Sequence, residues 1–109
     1  MTCEAWDVVT VPFPFTETAM QKRRPALILS QTSFNRQGHA VMAMITSAGQ
    51  PWPSDTRLSS LAAAGLSQPC VVRLKLFTLD NRLVLKRIGH LADQDAKQVA
   101  GALKTILAF

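Results

Sequence analysis

The sequence predicts a mainly β protein: a small barrel of five or six short strands closed by one C-terminal α-helix. Three observations lead there. Between residues 7 and 88, short runs either alternate apolar and polar residues or are wholly apolar, and Pro, Gly or Asp/Asn-containing stretches break them apart. Apolar residues recur at helical spacing convincingly once, in residues 93–107. Finally, 48% of the 109 residues are hydrophobic, which excludes a disordered chain and suits one domain over residues 1–109 with a small core.

The first strand is expected over residues 4–11, with its alternation clearest from Asp7. Trp6 reads as a partly buried anchor. Pro12 and Pro14 cannot donate to a ladder, so pairing is expected to stop at Val11. A loop over residues 13–22 follows; its Phe13 and Phe15 suit either stacking on bases or packing inward. This loop ends in the basic triplet Lys22-Arg23-Arg24 before Pro25, and residues 26–29 form an apolar run typical of a strand covered on both faces. The Arg24-Pro25 step thus stands at the mouth of a buried strand, where a guanidinium can be aimed at a phosphate.

Residues 31–36 read as a short helical turn ended by Gly38. In the third strand, residues 39–47, Val41, Ala43 and Ile45 point one way and Met42, Met44 and Thr46 the other, so Thr46 is the polar end of an apolar face. Residues 48–56 hold Gly49, Pro51 and Pro53 and must be loop. Residues 57–61 suit a short edge strand, and residues 62–65 a turn. Over residues 71–79, alternation puts Val72, Leu74 and Leu76 toward the core and Arg73 and Lys75 outward. Asp80-Asn81 predicts a hairpin turn, with the chain returning as a strand over residues 83–88. The helix presents Ala96, Val99, Ala100, Leu103, Ile106 and Leu107 on one face, with Asp93 as its N-cap and Asp95 in its positive first turn.

The net charge of +5, from 12 Lys/Arg against 7 Asp/Glu, favours a polyanionic partner without choosing among RNA, DNA and an acidic protein segment. Lys22, Arg23, Arg57, Arg82, Lys86 and Arg87 are candidates for backbone contact. No apolar run approaches the roughly 20 residues of a membrane span, and Met1-Thr2-Cys3-Glu4 lacks a signal-peptide layout, so a cytoplasmic protein is expected. Cys3 and Cys70 have no suitably spaced His partners; neither a zinc site nor a disulfide is expected, and Cys70 reads as a core residue. The two histidines, His39 and His90, read as surface or satisfied residues, which leaves little basis for a two-histidine ribonuclease.

Read in order, several short motifs resemble the MazF/PemK family of toxin endoribonucleases. They are Asp7-Val8-Val9, Arg24-Pro25 with the apolar run ending at Ser30, Ile45-Thr46-Ser47, Trp52-Pro53-Ser54-Asp55, Ala64-Gly65-Leu66, Val71-Val72-Arg73, Thr78-Leu79-Asp80 and Arg87-Ile88-Gly89-His90-Leu91. Together they span nearly the whole chain. The resemblance implies an SH3-like barrel of the CcdB/MazF/PemK type, usually a homodimer. It also implies the toxin of a type II toxin–antitoxin pair, cutting single-stranded RNA without metal or cofactor to 2′,3′-cyclic phosphate and 5′-hydroxyl ends. Its partner would be a cognate antitoxin that lays an acidic segment along the basic cleft.

By the same resemblance, Arg24 and Thr46 are the catalytic residues, with Ser47 and Arg73 in support. Lys22, Arg23, Phe15, Lys75 and Arg87 are the candidates for RNA binding. Two departures stand out: Trp6 occupies a position usually held by Gly, and Lys75 replaces an Asp proposed as base in the PemK-like branch. Two alternatives keep the fold without the reaction: a CcdB-like barrel that binds DNA gyrase, and a degenerate member that only binds nucleic acid or its antitoxin.

Overall fold

Six strands form one antiparallel sheet in the order β4-β5-β3-β2-β1-β6. They are β1 (Asp7–Phe13), β2 (Lys22–Ile28), β3 (His39–Thr46), β4 (Thr56–Arg57), β5 (Val71–Asp80) and β6 (Lys86–His90). A short helix, α1 (Thr32–Asn35), joins β2 to β3, and α2 (Asp93–Ile106) follows β6. The computed structural model describes residues 1–13, 22–47 and 49–109. Its sheet curls into a half-barrel, so the expected small β barrel with a C-terminal helix is what the chain forms. Among the described residues no helix is long and apolar enough to cross a membrane.

Both faces of the sheet are buried. Val8, Leu27, Ala43, Ile45 and Val72 pack on one side with Leu91 and with Val99 of α2. Val9, Val11, Ala26, Ile28, Ala40 and Met42 pack on the other with Cys3, Leu79 and Val84. The apolar run of β2 therefore splits between the two cores, as its lack of alternation predicts. Both cysteines are free and buried.

Several expectations need correction. The first strand starts at Asp7, not Glu4, because Trp6 has a φ of +73°, a left-handed conformation that no strand can include. Trp6 still ties the sheet together: its N–H donates to the Ile28 carbonyl at 2.7 Å, and its own carbonyl accepts from Leu91 N–H at 2.9 Å.

Pairing does not stop at Val11 either. Pro12 lies opposite Arg23 and Phe13 opposite Lys22, so the basic triplet belongs to β2 and not to a loop. Beyond Thr10, β1 has lost its β6 neighbour, and Pro25 lies beyond the paired part of β3. Each proline therefore has a strand neighbour on one side only, where a missing N–H is tolerated.

Asp80-Asn81 does not make a hairpin. The Asp80 carboxylate accepts from Arg82 N–H at 2.8 Å and starts a 3-10 turn over Asn81–Leu83. Hydrogen bonds from the Arg82 side chain and backbone hold that carboxyl down at about 2. The chain then crosses to the far edge of the sheet, where β6 pairs with β1. Two-residue hairpin turns need positive φ at the first central residue, and Asp80, at φ −60°, does not supply it. β4 is an edge strand as expected but spans only Thr56–Arg57. In α2 the N-cap is Ala92, not Asp93, and offers no side-chain bond; Ile106 and Leu107, at the end of the apolar face, are exposed.

Candidate functional site

Two adjoining clefts open at the end of β3 and share Thr46, Ser47 and Cys70. The first, about 310 Å³, is walled by Arg23, Arg24 and Pro25 of β2, by Thr10 of β1, and by the turn around Gly65 and Leu66. The second, about 400 Å³, is walled by Gly49, Pro51, Asp55, Arg57 and Arg73.

Strand register brings Arg24 to Thr46. β2 and β3 pair as Ile28↔Met42, Leu27↔Ala43 and Ala26↔Met44. Continued by two residues, that register puts Arg24 opposite Thr46, just past the last paired position. Thr46 is itself held on its other side by pairing with Val71 of β5. So a strand-borne guanidinium and a strand-borne hydroxyl line one cleft, with Ser47 beside them. Rigid strands position such groups better than loops do.

Gly65 fixes the opposite wall. Its φ is +72°, and a Cβ there would lie 1.9 Å from the Ile88 carbonyl oxygen. The turn can therefore lie flat against β6 only with glycine.

Arg73 does not face outward. It is 8% exposed and forms a fork with Asp55: Nε donates to Oδ1 at 3.1 Å and Nη2 to Oδ2 at 2.8 Å. Nη2 also donates to the Gln50 carbonyl at 2.9 Å, and the guanidinium lies 5.3 Å from the Trp52 ring centroid. A bulge in β5 lies beside it: Ala43 pairs with Leu76 but the next residue, Met44, pairs with Arg73, which leaves Leu74 and Lys75 as extra residues. The shift is even, so Arg73 keeps the face opposite Val72 and Leu74, and Asp55 and the Gln50 carbonyl cover it there. The hydrogen bonds from Arg73 hold the Asp55 carboxyl below the usual range despite its burial, and in return Asp55 pushes the Arg73 guanidinium up. Arg73 thus lines the second cleft with its charge already met.

The remaining candidates are dispersed. Lys22 and Arg23 are exposed on β2, and Arg23 lines the first cleft. Arg57 is exposed and lines the second. Lys75 is exposed in the bulge and lines neither cleft. Arg87, on β6, lies 3.5 Å from the buried Asp7 carboxylate, away from both clefts. Arg82 is engaged with Asp80. Phe15 and its loop neighbours, residues 14–21, lie outside the described residues.

His90 is satisfied, its Nδ1 being 2.9 Å from Asp7, and the exposed His39 meets Phe34 edge-on. The Cys70 thiol donates to the Gln68 carbonyl at 3.2 Å, and burial pushes it up, so it stays protonated as a core thiol does. Sequence reasoning gave no role to Asp55, which lines the second cleft, or to Trp52, which packs on Arg73. Both belong to the Trp52-Pro53-Ser54-Asp55 motif, but nothing in one sequence pairs Asp55 with Arg73.

A family model described as PemK-like, MazF-like toxin of type II toxin–antitoxin system matches residues 4–107. None of the curated proteins matches the chain significantly. Several solved structures do. A MazE–MazF complex (Form-III) from Deinococcus radiodurans is 24% identical over 97% of this chain and 96% of that one, with a TM-score of 0.78. The Mycobacterium tuberculosis toxin MazF-mt6 is 22% identical over 91% of this chain and 93% of that one, with a TM-score of 0.73. An endoribonuclease in complex with its cognate antitoxin, from a mycobacterial species, is 16% identical over 94% and 92% of the two chains, with a TM-score of 0.75. These likenesses show a common fold, and the family match covers all but the ends of the chain. The chain therefore belongs to the PemK-like, MazF-like toxins of type II toxin–antitoxin systems.

Proposed function

We propose that the protein is an endoribonuclease that cuts single-stranded RNA by attack of the 2′-hydroxyl on its own phosphate, without a metal. The products are a 2′,3′-cyclic phosphate and a 5′-hydroxyl. The observation that supports this reading is that Arg24 and Thr46 line one cleft, beyond the end of the β2–β3 ladder.

In the reaction the 2′-hydroxyl gives up its proton as its oxygen bonds to phosphorus, the bond from phosphorus to the 5′ oxygen breaks, and that leaving oxygen takes up a proton, so none is gained or lost overall; negative charge gathers on the phosphate oxygens between the two events. Arg24 presents a planar, permanently charged fork that can hold two of those oxygens. Thr46 supplies a hydroxyl donor beside it, and Ser47 a second. Groups fixed where charge develops are worth orders of magnitude in rate. Lys75 stands where the PemK-like branch carries its Asp and lies outside both clefts, so the reading follows the Arg24/Thr46 route. Lys22, Arg23 and Arg57 steer the RNA backbone. An acidic antitoxin segment would inhibit by occupying the same basic surface, in keeping with the antitoxin complexes of proteins of this fold. The toxin would act as a homodimer.

The test is cleavage of a long single-stranded RNA by the purified protein in excess EDTA, beside Arg24→Ala and Thr46→Ala. Discrete cuts that carry cyclic phosphate ends and vanish in Arg24→Ala support the reading. A folded wild type that makes no cuts overturns it. One observation favours a second, binding-only reading: Arg73 is neutralised by Asp55 and so withdrawn from the phosphate. RNA binding without cleavage under the same conditions would select it.

A further inference from the structure

We propose that Trp52 is a platform for one unpaired nucleobase of the bound RNA, held in place by the Arg73–Asp55 pair. The proposal rests on the ribonuclease reading above.

Trp52 belongs to neither apolar core, yet it is fixed from three directions. Its backbone N–H donates to Asp55 Oδ2 at 2.9 Å, and its carbonyl accepts from Asp55 N–H at 3.0 Å. Pro51 and Pro53 flank it and restrict the backbone on either side. The Arg73 guanidinium, immobilised by the Asp55 fork and the Gln50 carbonyl, lies over its ring. Gly49 permits that arrangement, since a Cβ there would stand 3.3 Å from Arg73 Nη1.

The result is an indole 41% exposed, held rigid by a buried ion pair on the loop that walls the second cleft. Core packing does not require this expenditure of ordered polar groups. A rigid, partly exposed aromatic plane is what an unpaired base stacks on, and every base offers a π face. Charge supports a base over a phosphate here, because Asp55 cancels Arg73. The phosphate-seeking groups lie elsewhere: Arg24 in the first cleft and Arg57 across the second. An RNA chain crossing the shared Thr46–Ser47 edge, with its scissile phosphate at Arg24, brings a neighbouring base toward Trp52. Arg73 then acts as a positioning residue, through Trp52 and not on the phosphate.

The test uses the full chain and a single-stranded RNA 2′-O-methylated at every position, which binds but cannot be cut. In a Trp6→Phe background Trp52 is the remaining one of the two tryptophans, and its fluorescence should be quenched on binding. Trp52→Leu, which keeps apolar bulk but has no π face, should weaken binding by roughly 5- to 100-fold, while Trp52→Phe retains most of the affinity. A single abasic position in the RNA should reproduce the loss in the wild type and add nothing in Trp52→Leu. With cleavable RNA, Trp52→Leu should raise KM more than it lowers kcat. Arg73→Lys should raise KM too, but not further when combined with Trp52→Leu.

Wild-type affinity in Trp52→Leu, with RNA still cut, overturns the platform and leaves the ribonuclease reading standing. Additive effects of Arg73→Lys and Trp52→Leu overturn the positioning role. Failure of the folded wild type to bind any single-stranded RNA overturns both readings together.

Discussion

The Asp95 carboxylate accepts both the backbone N–H of Ser59, at 3.1 Å, and its hydroxyl, at 2.7 Å. Ser60 N–H adds a third partner at 3.0 Å, so one buried side chain of α2 ties the helix to the segment after β4. Burial alone would raise this carboxyl, but the bonds from Ser59 and Ser60 outweigh it and hold Asp95 below the usual range. A group depressed in the folded state contributes stability above its unfolded value of about 3.9 and loses it as pH falls through the lower folded value. Asp95→Ala should therefore cost about 2 kcal/mol at pH 7, and the gap to wild type should narrow at pH 3. Urea midpoints at the two pH values check this; an equal gap at both would show that the ionised carboxylate is not what matters.

Glycine substitutions should have opposite signs at two positions. At Gly65 a methyl group would collide with the Ile88 carbonyl in a left-handed conformation, and both penalties apply. Gly65→Ala should destabilise by about 3 kcal/mol and distort the first cleft as well. Gly101 lies within α2, exposed, with nothing near the Cβ that would be added. Gly101→Ala should stabilise by about 0.5–1 kcal/mol through helix propensity. Chemical denaturation of the two variants separates the cases.

The start of α2 offers a third stability test. Ala92 holds the N-cap conformation, with φ −61° and ψ 150°, but has no side chain to accept a helix N–H. Ala92→Ser should raise stability by about 1 kcal/mol, seen as a higher Tm. Asp93→Ala should cost less than a lost cap, because Asp93 is the first helical residue and contributes only its charge near the helix N-terminus.

These cases show where the sequence is legible. The apolar runs at Val8–Val9, Val41–Ile45 and in β2 and the helical repeat of α2 are each read from local pattern, and the mainly β fold with its terminal helix follows from them. The bulge at Leu74 and Lys75 does not, because those residues continue the alternation whether or not they are paired. Arg73 keeps its face despite the bulge, and what buries it is Asp55 and the Gln50 carbonyl, which lie far from it in sequence. Pro12 and Pro25 misled for another reason: a missing N–H forbids pairing only where strands lie on both sides, and strand order is a tertiary fact. Arg24 and Thr46 were picked out by motif order alone; that they share a cleft depends on the β2–β3 register. The Asp55 fork required the fold of residues 49–55 around Arg73, which no spacing rule reports.

Salt dependence should sort the basic residues. Lys22 and Arg23 are exposed beside the first cleft, so as phosphate contacts each should contribute about 0.7 to the slope of log K against log salt for single-stranded RNA. Lys22→Ala and Arg23→Ala should flatten the slope by that amount and weaken binding without moving the cut sites. Arg87 is already 3.5 Å from the buried Asp7 carboxylate, and Arg87→Ala should change the slope less. Filter binding at several salt concentrations measures all three; a larger slope change for Arg87 than for Arg23 would show that the phosphate path does not follow the first cleft.

Arg24 and Thr46 should fail as a unit. If both hold oxygens of the same phosphorane, removing either loosens the grip that makes the other useful, and their losses do not add. Arg24→Ala should lower kcat by about 100- to 1,000-fold, and Thr46→Ala by a smaller factor. The double variant should be little worse than Arg24→Ala. Arg24→Lys keeps the charge but not the fork, and should recover binding far better than kcat. Single-turnover cleavage at saturating enzyme isolates the chemical step for all four proteins. Strict additivity would mean that the two side chains act on separate groups, with Thr46 placing the substrate while Arg24 alone meets the developing charge.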